Sequence, residues 1–170
     1  MNYFTQSTEE LEEFLDFIEE DLENVRRAIN SVKEKGLEPE FLIHAKSETV
    51  DESAENTDVD KSRIIKTLIF MADEPVAVLC PGDTSVSEEK LEEIIGSDTR
   101  MANPSEVEDS TGYKIGGVSP FDLDIPVIIE EELMKQEKVR PAAGSRVLGV
   151  LLDPGDLKEL TDGKVVDVAR

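Results

Sequence analysis

The chain carries one cysteine, Cys80, one histidine, His44, and no tryptophan. A single cysteine closes no intramolecular disulfide, and one histidine with one cysteine cannot make a zinc site of the Cys/His kind. A Ser-His-Asp triad would have to use His44, and no G-x-S-x-G elbow accompanies it. Neither G-x-x-x-x-G-K-[ST] nor G-x-G-x-x-G occurs, so phosphate cradles of those kinds have no support. No apolar run reaches the ~18 residues of a membrane span. The opening, "MNYFTQSTEE", has neither the basic nor the apolar region of a secretory signal. These absences read as a soluble, cytoplasmic protein with no membrane partner, no cofactor and no metal. Cys80, beside Pro81, reads as a small buried hydrophobe, and His44 as an ordinary hydrogen-bonded histidine.

Bases are scarce as well. There are 18 Lys and Arg against 40 Asp and Glu, a net charge of -22 over 170 residues. The imbalance is steepest in residues 1–60, with 18 acids and 5 bases. Such a surface keeps a protein soluble. It excludes broad nonspecific nucleic-acid binding, which rests on neutralising phosphates. No DNA partner is expected, and any nucleic acid must be held at a small local site. Carboxylates are so frequent that no pair stands out as catalytic. Apolar residues, at 38%, suffice for one core, and the length suits one domain.

What is present is regular. Residues 7–35 predict one long helix: Ser7 and Glu10 form a capping-box pattern. Leu11, Leu15, Ile18, Leu22, Val25, Ile29 and Val32 recur at spacings of three and four, and Gly36 is a stop. The stripe either packs on its own domain or forms a coiled-coil seam. Three heptads are short for the latter, which favours the former. Strands are expected at 41–45, 62–72, 75–83 and 164–169, with a strand running into a short helix or turn over 125–134 and a strand, a turn and a final helix over 146–163. Further helices are expected within 47–60, 85–97 and 103–112. Strands and helices mix irregularly, so the class is α+β with a mixed sheet.

Two stretches raise chemical questions. On a strand, Ile64, Lys66, Leu68 and Phe70 share one face. Lys66 thus stands in an apolar row, either as an edge lysine that snorkels to water or as a donor pointed into a pocket. "GYKIGGVSPF" (112–121) holds three glycines. Gly116 and Gly117 remove two β-carbons in succession, which lets amides approach a ligand and permits positive φ. Pro120 biases Ser119 to extended backbone. The stretch reads either as a ligand loop or as a plain turn.

Together these stretches resemble the YbaK/prolyl-tRNA-synthetase-associated editing domains. "ETVDESAENTDVDKSRIIKTLIF" (48–70) is similar to their opening helix and Lys-Thr-Leu strand. "CPGD" (80–83) is similar to the Pro-Gly-Asp that ends the next strand. "TRMANPSEVEDSTGYKIGGVSPF" (99–121) carries the Thr-Gly-Tyr and Gly-Gly-Val-Ser-Pro-Phe pattern. "AAGSRVLGVLLDPGDLKELTDGKVVDV" (142–168) is similar to the closing strands and helix. The resemblance runs from about residue 40 to the end, and implies a single editing-type domain over 1–170. Its core spans 40–170, preceded by the acidic helix 7–35. The implied fold is α+β, with a mixed, mostly antiparallel sheet curled into a pseudo-barrel among helices.

The resemblance implies a trans-editing hydrolase that cleaves the ester of mischarged aminoacyl-tRNA, Ala- or Cys-tRNA-Pro. Lys66 falls on the lysine the family needs for activity. Gly116, Gly117, Val118, Ser119 and Pro120 fall on its substrate loop, Gly144 on a glycine lining the same pocket, and Thr49 on the substrate side. The terminal ribose hydroxyl is implied to help activate water. Lys61, Arg63, Arg100, Lys114, Arg140 and Arg146 surround these motifs in sequence and are the expected tRNA contacts, with prolyl-tRNA synthetase as an expected partner. Two positions depart from the pattern: Asp122 stands where the family usually has Gly, and Ala142 where it often has Ser. They leave room for a non-catalytic module that binds the terminal adenosine and regulates a synthetase.

Overall fold

A computed structural model describes residues 7–47 and 49–170. Helix α1 (Thr8–Glu34) begins with the expected reciprocal cap: the Ser7 hydroxyl accepts from the Glu10 amide, and the Glu10 carboxylate accepts from the Ser7 amide. Strand β1 (Glu40–Ile43) and helix α2 (Val50–Thr57) follow. A 3-10 turn at Lys61–Arg63 leads into the hairpin β2 (Ile65–Met71) and β3 (Pro75–Pro81). Next come α3 (Glu88–Ile95), the short β4 (Arg100–Met101), α4 (Pro104–Thr111) and β5 (Val127–Glu130). The chain then runs through β6 (Ala142–Ser145), β7 (Leu148–Leu151), α5 (Pro154–Thr161) and β8 (Lys164–Val166).

The strands form two sheets, in the orders β1-β7-β6 and β4-β2-β3-β5-β8. Pairing is antiparallel except at β3–β5 and β5–β8. The strands do not close, so the expected pseudo-barrel stays open. Between the β2 edge and the chain entering β6 there is one isolated bridge, Ile64 to Arg140. It is fastened by the Ile65 amide on the Arg140 carbonyl (3.0 Å) and the Arg140 amide on the Arg63 carbonyl (2.8 Å). Beyond that point the sheets separate. On the same side of β2, β4 pairs only Phe70 and Met71, so the edge at Lys66–Leu68 has no strand beside it among the described residues.

The alternation of β2 divides the interior. Ile65 and Ile69 join the larger core with Leu79, Ile129, Val150 and Phe121. Phe70 joins a second core with Val78, Cys80, Leu91 and Ile128 against α3. Cys80 is buried there as a small apolar group. Helix α1 buries only its C-terminal half, through Val25, Ala28 and Val32. Leu11 and Leu15 are 51% and 54% exposed, so the apolar stripe outruns the surface it packs on.

Candidate functional site

The gap between the sheets is a cavity of about 280 Å³. One wall runs from Ile64 and Ile65 along the free edge of β2 to Leu68; the opposite wall is Arg140, Ala142, Ser145 and Leu148. The start of α2 (Thr49, Val50, Ser53) closes one end, and the loop residues Ile115, Gly116 and Val118 close another. Open closure of the strands thus creates the site: where main-chain pairing stops, side chains and loop backbone line the space instead.

Lys66 reaches the cavity from β2, half-buried, with its ammonium donating to the Thr84 carbonyl just beyond β3. That contact holds the side chain in one direction and leaves two further N–H donors. Beside it the Thr67 hydroxyl is buried without a hydrogen-bond partner. Thr49 caps α2, accepting from the Glu52 amide at 3.2 Å.

The glycine loop owes its shape to close packing. A β-carbon on Gly117 would lie 3.0 Å from the backbone of Gly144 and Ser145, so the loop rests main chain against main chain on β6. Gly116 has φ +91. Ser119 does not present its hydroxyl to the cavity: it is fully buried, and its oxygen lies 3.4 Å from the Phe121 amide. Pro120 is buried too. Tyr113, buried below, donates to the Phe121 carbonyl at 2.8 Å, and burial lifts its hydroxyl to about 12. Asp122, where the resemblance implies a Gly, has φ +57. The departure is explained by α1: Arg27 donates to the Asp122 carboxylate (3.0 Å) and carbonyl (2.8 Å) while stacking 4.3 Å over the Tyr113 ring.

The other implied residues are distributed as follows. Gly144 does not line the cavity; at φ +94 it lies under α1, where a β-carbon would come 2.7 Å from the Asn24 carbonyl. Arg140 and Arg146 line the cavity. Lys114 pairs with Glu20 at 2.7 Å beside a smaller recess of about 90 Å³ that also holds Asp21 and Arg146. Burial raises the Asp21 carboxyl above its ordinary range, against a hydrogen bond with Ser145. Lys61 pairs with Asp51, and Arg63 donates to the Lys138 carbonyl at 2.9 Å. Arg100 makes a two-pronged pair with Glu106 at 2.7 and 2.8 Å, which holds the Glu106 carboxyl down at about 2. It sits beside Met71, five residues along β2 from Lys66, about 16 Å away. The six cations adjacent in sequence are therefore not one patch.

Sequence reasoning passed over Ser47 and Ser53, and read His44 as the ordinary hydrogen-bonded histidine it is. His44 is buried at the cavity, with Nδ1 2.7 Å from the Ala45 carbonyl and Nε2 against Arg140. Burial, then the Arg140 charge, lowers it to about 4. A larger cavity, about 570 Å³, lies between α1 and β1; its lining is chiefly apolar, with Glu10, Glu13 and Glu52 beside a single base, Lys46. In the cavity between the sheets the balance is reversed. Among the described residues it is lined by Lys66, Arg140 and Arg146 and by no Asp or Glu, in a chain with 40 acids.

The family model for the aminoacyl-tRNA editing domain matches residues 44–160. The chain belongs to the aminoacyl-tRNA editing domain family. The match contains Lys66, the glycine loop and every residue named in the cavity wall. The Bacillus subtilis (strain 168) protein YwhH is 37% identical over 129 residues, covering 73% of this chain and 82% of its own. An Enterococcus faecalis protein, named "Putative Cys-tRNA(Pro)/Cys-tRNA(Cys) deacylase EbsC", is 27% identical over 150 residues, covering 85% and 92%. Among solved structures, one titled "Crystal structure of a putative trans-editing enzyme for prolyl tRNA synthetase" superposes with a TM-score of 0.81 at 25% identity, covering 86% of this chain and 97% of that one. No described helix is long and apolar enough to cross a membrane.

Proposed function

We propose that this editing domain acts in trans as a deacylase, hydrolysing the ester of Ala or Cys mischarged on tRNA-Pro, with Lys66 as the catalytic cation. The observation that carries the reading is the cationic cavity, free of acids among its described residues, in a chain of net charge -22. A polyanionic substrate is repelled by most of this surface and accepted at one place.

An aminoacyl ester is already activated, so the step needs orientation and charge stabilisation more than a protein nucleophile. Water adds to the ester carbonyl, the oxygen becomes an oxyanion, and the C–O bond to the ribose breaks as the ribose oxygen takes a proton. Lys66, held by the Thr84 carbonyl, supplies a fixed positive charge beside the cavity for that oxyanion. The unpartnered Thr67 hydroxyl offers a donor and acceptor in the same wall. Holding ester and water in line lowers the barrier further. The wall at Ala142, Val118 and Leu148 is apolar and suits a small side chain. Size selection of this kind is worth ~1–3 kcal/mol per methylene. A prolyl-tRNA synthetase is the natural source of such esters and the proposed partner.

The test is hydrolysis of Ala-tRNA-Pro and Cys-tRNA-Pro, with Pro-tRNA-Pro as control, by the wild type and by Lys66→Ala. The expected outcome is turnover of a mischarged species that falls by about 10²-fold or more in the variant, the cost of removing one oxyanion donor. Cleavage of neither ester above the spontaneous rate overturns the reading.

A further inference from the structure

Arg140 is 4% exposed, yet it lines the cavity. Its guanidinium meets two neutral groups: one terminal nitrogen donates to the Ser53 hydroxyl at 2.5 Å, the other to Nε2 of His44. The Ala45 carbonyl only accepts, so Nδ1 of His44 carries the proton and Nε2 offers its lone pair. The imidazole is therefore neutral and brings no countercharge. Among the described residues no carboxylate pairs with Arg140. Burial alone lowers its affinity for a proton, to about 10, with no nearby acid acting against the shift. Its Nε is buried with no hydrogen-bond partner. The flat side chain lies over Gly149, where a β-carbon would come 2.6 Å from Nε, so the backbone has been cleared to admit it.

A buried ion without a counterion costs several kcal/mol, and folded proteins ordinarily pair such charges. Here the pairing charge has to come from whatever enters the cavity. The aminoacyl group does not bring it, because its free amino group is cationic and is repelled by Lys66, Arg140 and Arg146 alike. A phosphate does bring it. A guanidinium fork takes two phosphate oxygens in one plane.

We propose that Arg140 is the receptor for the 5′-phosphate of the substrate's terminal nucleotide, the anion nearest the ester that is cut. This rests on the editing reading above and adds a division of labour: Lys66 serves the ester, Arg140 the phosphate.

The test compares adenosine with adenosine 5′-monophosphate as ligands, by calorimetric titration at low salt, for the wild type, Arg140→Met and Arg140→Lys. The wild type is expected to bind the monophosphate at least ~10-fold more tightly, the ratio set by one charge-assisted pair. In Arg140→Met the ratio falls to about one. In Arg140→Lys, which keeps the charge and loses the fork, it lies between. Circular dichroism melts confirm that both variants are folded. Equal binding of the two ligands by the wild type, including binding of neither, overturns the proposal, as does a monophosphate preference that survives Arg140→Met. A folded Arg140→Met that binds neither ligand also overturns it, by showing that Arg140 shapes the cavity. Failure of the editing reading shows separately, as absent ester turnover by the wild type.

Discussion

Gly144→Ala is expected to strike the fold before the chemistry. Gly144 has φ +94, a conformation that costs a side-chain-bearing residue ~1–3 kcal/mol. A β-carbon there would also stand 2.7 Å from the carbon and oxygen of Asn24 and 2.8 Å from the Val25 nitrogen. These are helix backbone atoms with no rotamer to escape into, so α1 must lift away from β6. Overpacking of that kind adds ~1–3 kcal/mol. The sum, about 4 kcal/mol, lowers Tm by about 8–16 °C for a domain of this size. Gly96 is the control: φ +85, the C-cap of α3, and nothing within 4 Å of its would-be β-carbon. Gly96→Ala carries the backbone cost alone and should lose about half as much. Thermal melts of the two variants decide the matter, and hydrogen exchange should show faster opening of α1 around Val25 in Gly144→Ala only. Equal losses in the two variants would refute the argument. So would a Gly144→Ala protein of unchanged Tm with altered turnover, the result expected had this glycine merely lined the pocket.

Three further outcomes follow from the same geometry. His44 has its pKa lowered from 6.5 to about 4, so the unfolded chain binds the extra proton first. Its contribution, ~3 kcal/mol by linkage, is fully present above pH 6.5 and is lost as pH falls toward 4. Urea unfolding of the wild type and His44→Gln at pH 7.5 and 4.5 should show the steeper loss in the wild type; parallel losses would sink this assignment. Arg27→Met removes bonds to Thr111, Asp122 and the Tyr113 face together, and should cost about 2–3 kcal/mol. Asp122→Gly trades an exposed ion pair worth under ~1 kcal/mol for relief of positive φ and should lie within about 1 kcal/mol of the wild type, which the same melts measure.

Much of the fold was legible because its signals are local. The Ser7 and Glu10 box, the Asn103-Pro104 start of α4 and the β-branched run of β2 each announce an element in a few residues. The two sheets were not legible, since their separation depends on where pairing between β2 and the chain before β6 stops, and that is a tertiary property. At the site, the alternation of β2 correctly put Lys66 in an apolar row. The glycine loop was harder: its sequence shows freedom, while its use is to lie flat on β6, and Ser119 turns inward to brace Phe121. Arg140 looked like one more surface base among six. Nothing in its neighbourhood along the chain shows that it is buried without an acid, because Ser53 and His44 are 87 and 96 residues away.

The contrast between an acidic exterior and a cavity with no acid among its described residues also governs how a large polyanion arrives. Charges beyond ~8 Å are screened at physiological ionic strength, so the exterior works as a short-range fence. A broadside encounter with a duplex is turned back; a narrow single-stranded end, approaching first, meets the gap between the sheets. Salt then acts in opposite directions on the two halves of the encounter, lowering the fence for arrival while loosening the proposed grip of Arg140 on the phosphate. Efficiency should peak at an intermediate ionic strength, and the fence becomes a filter on the direction of approach as much as on the identity of the guest.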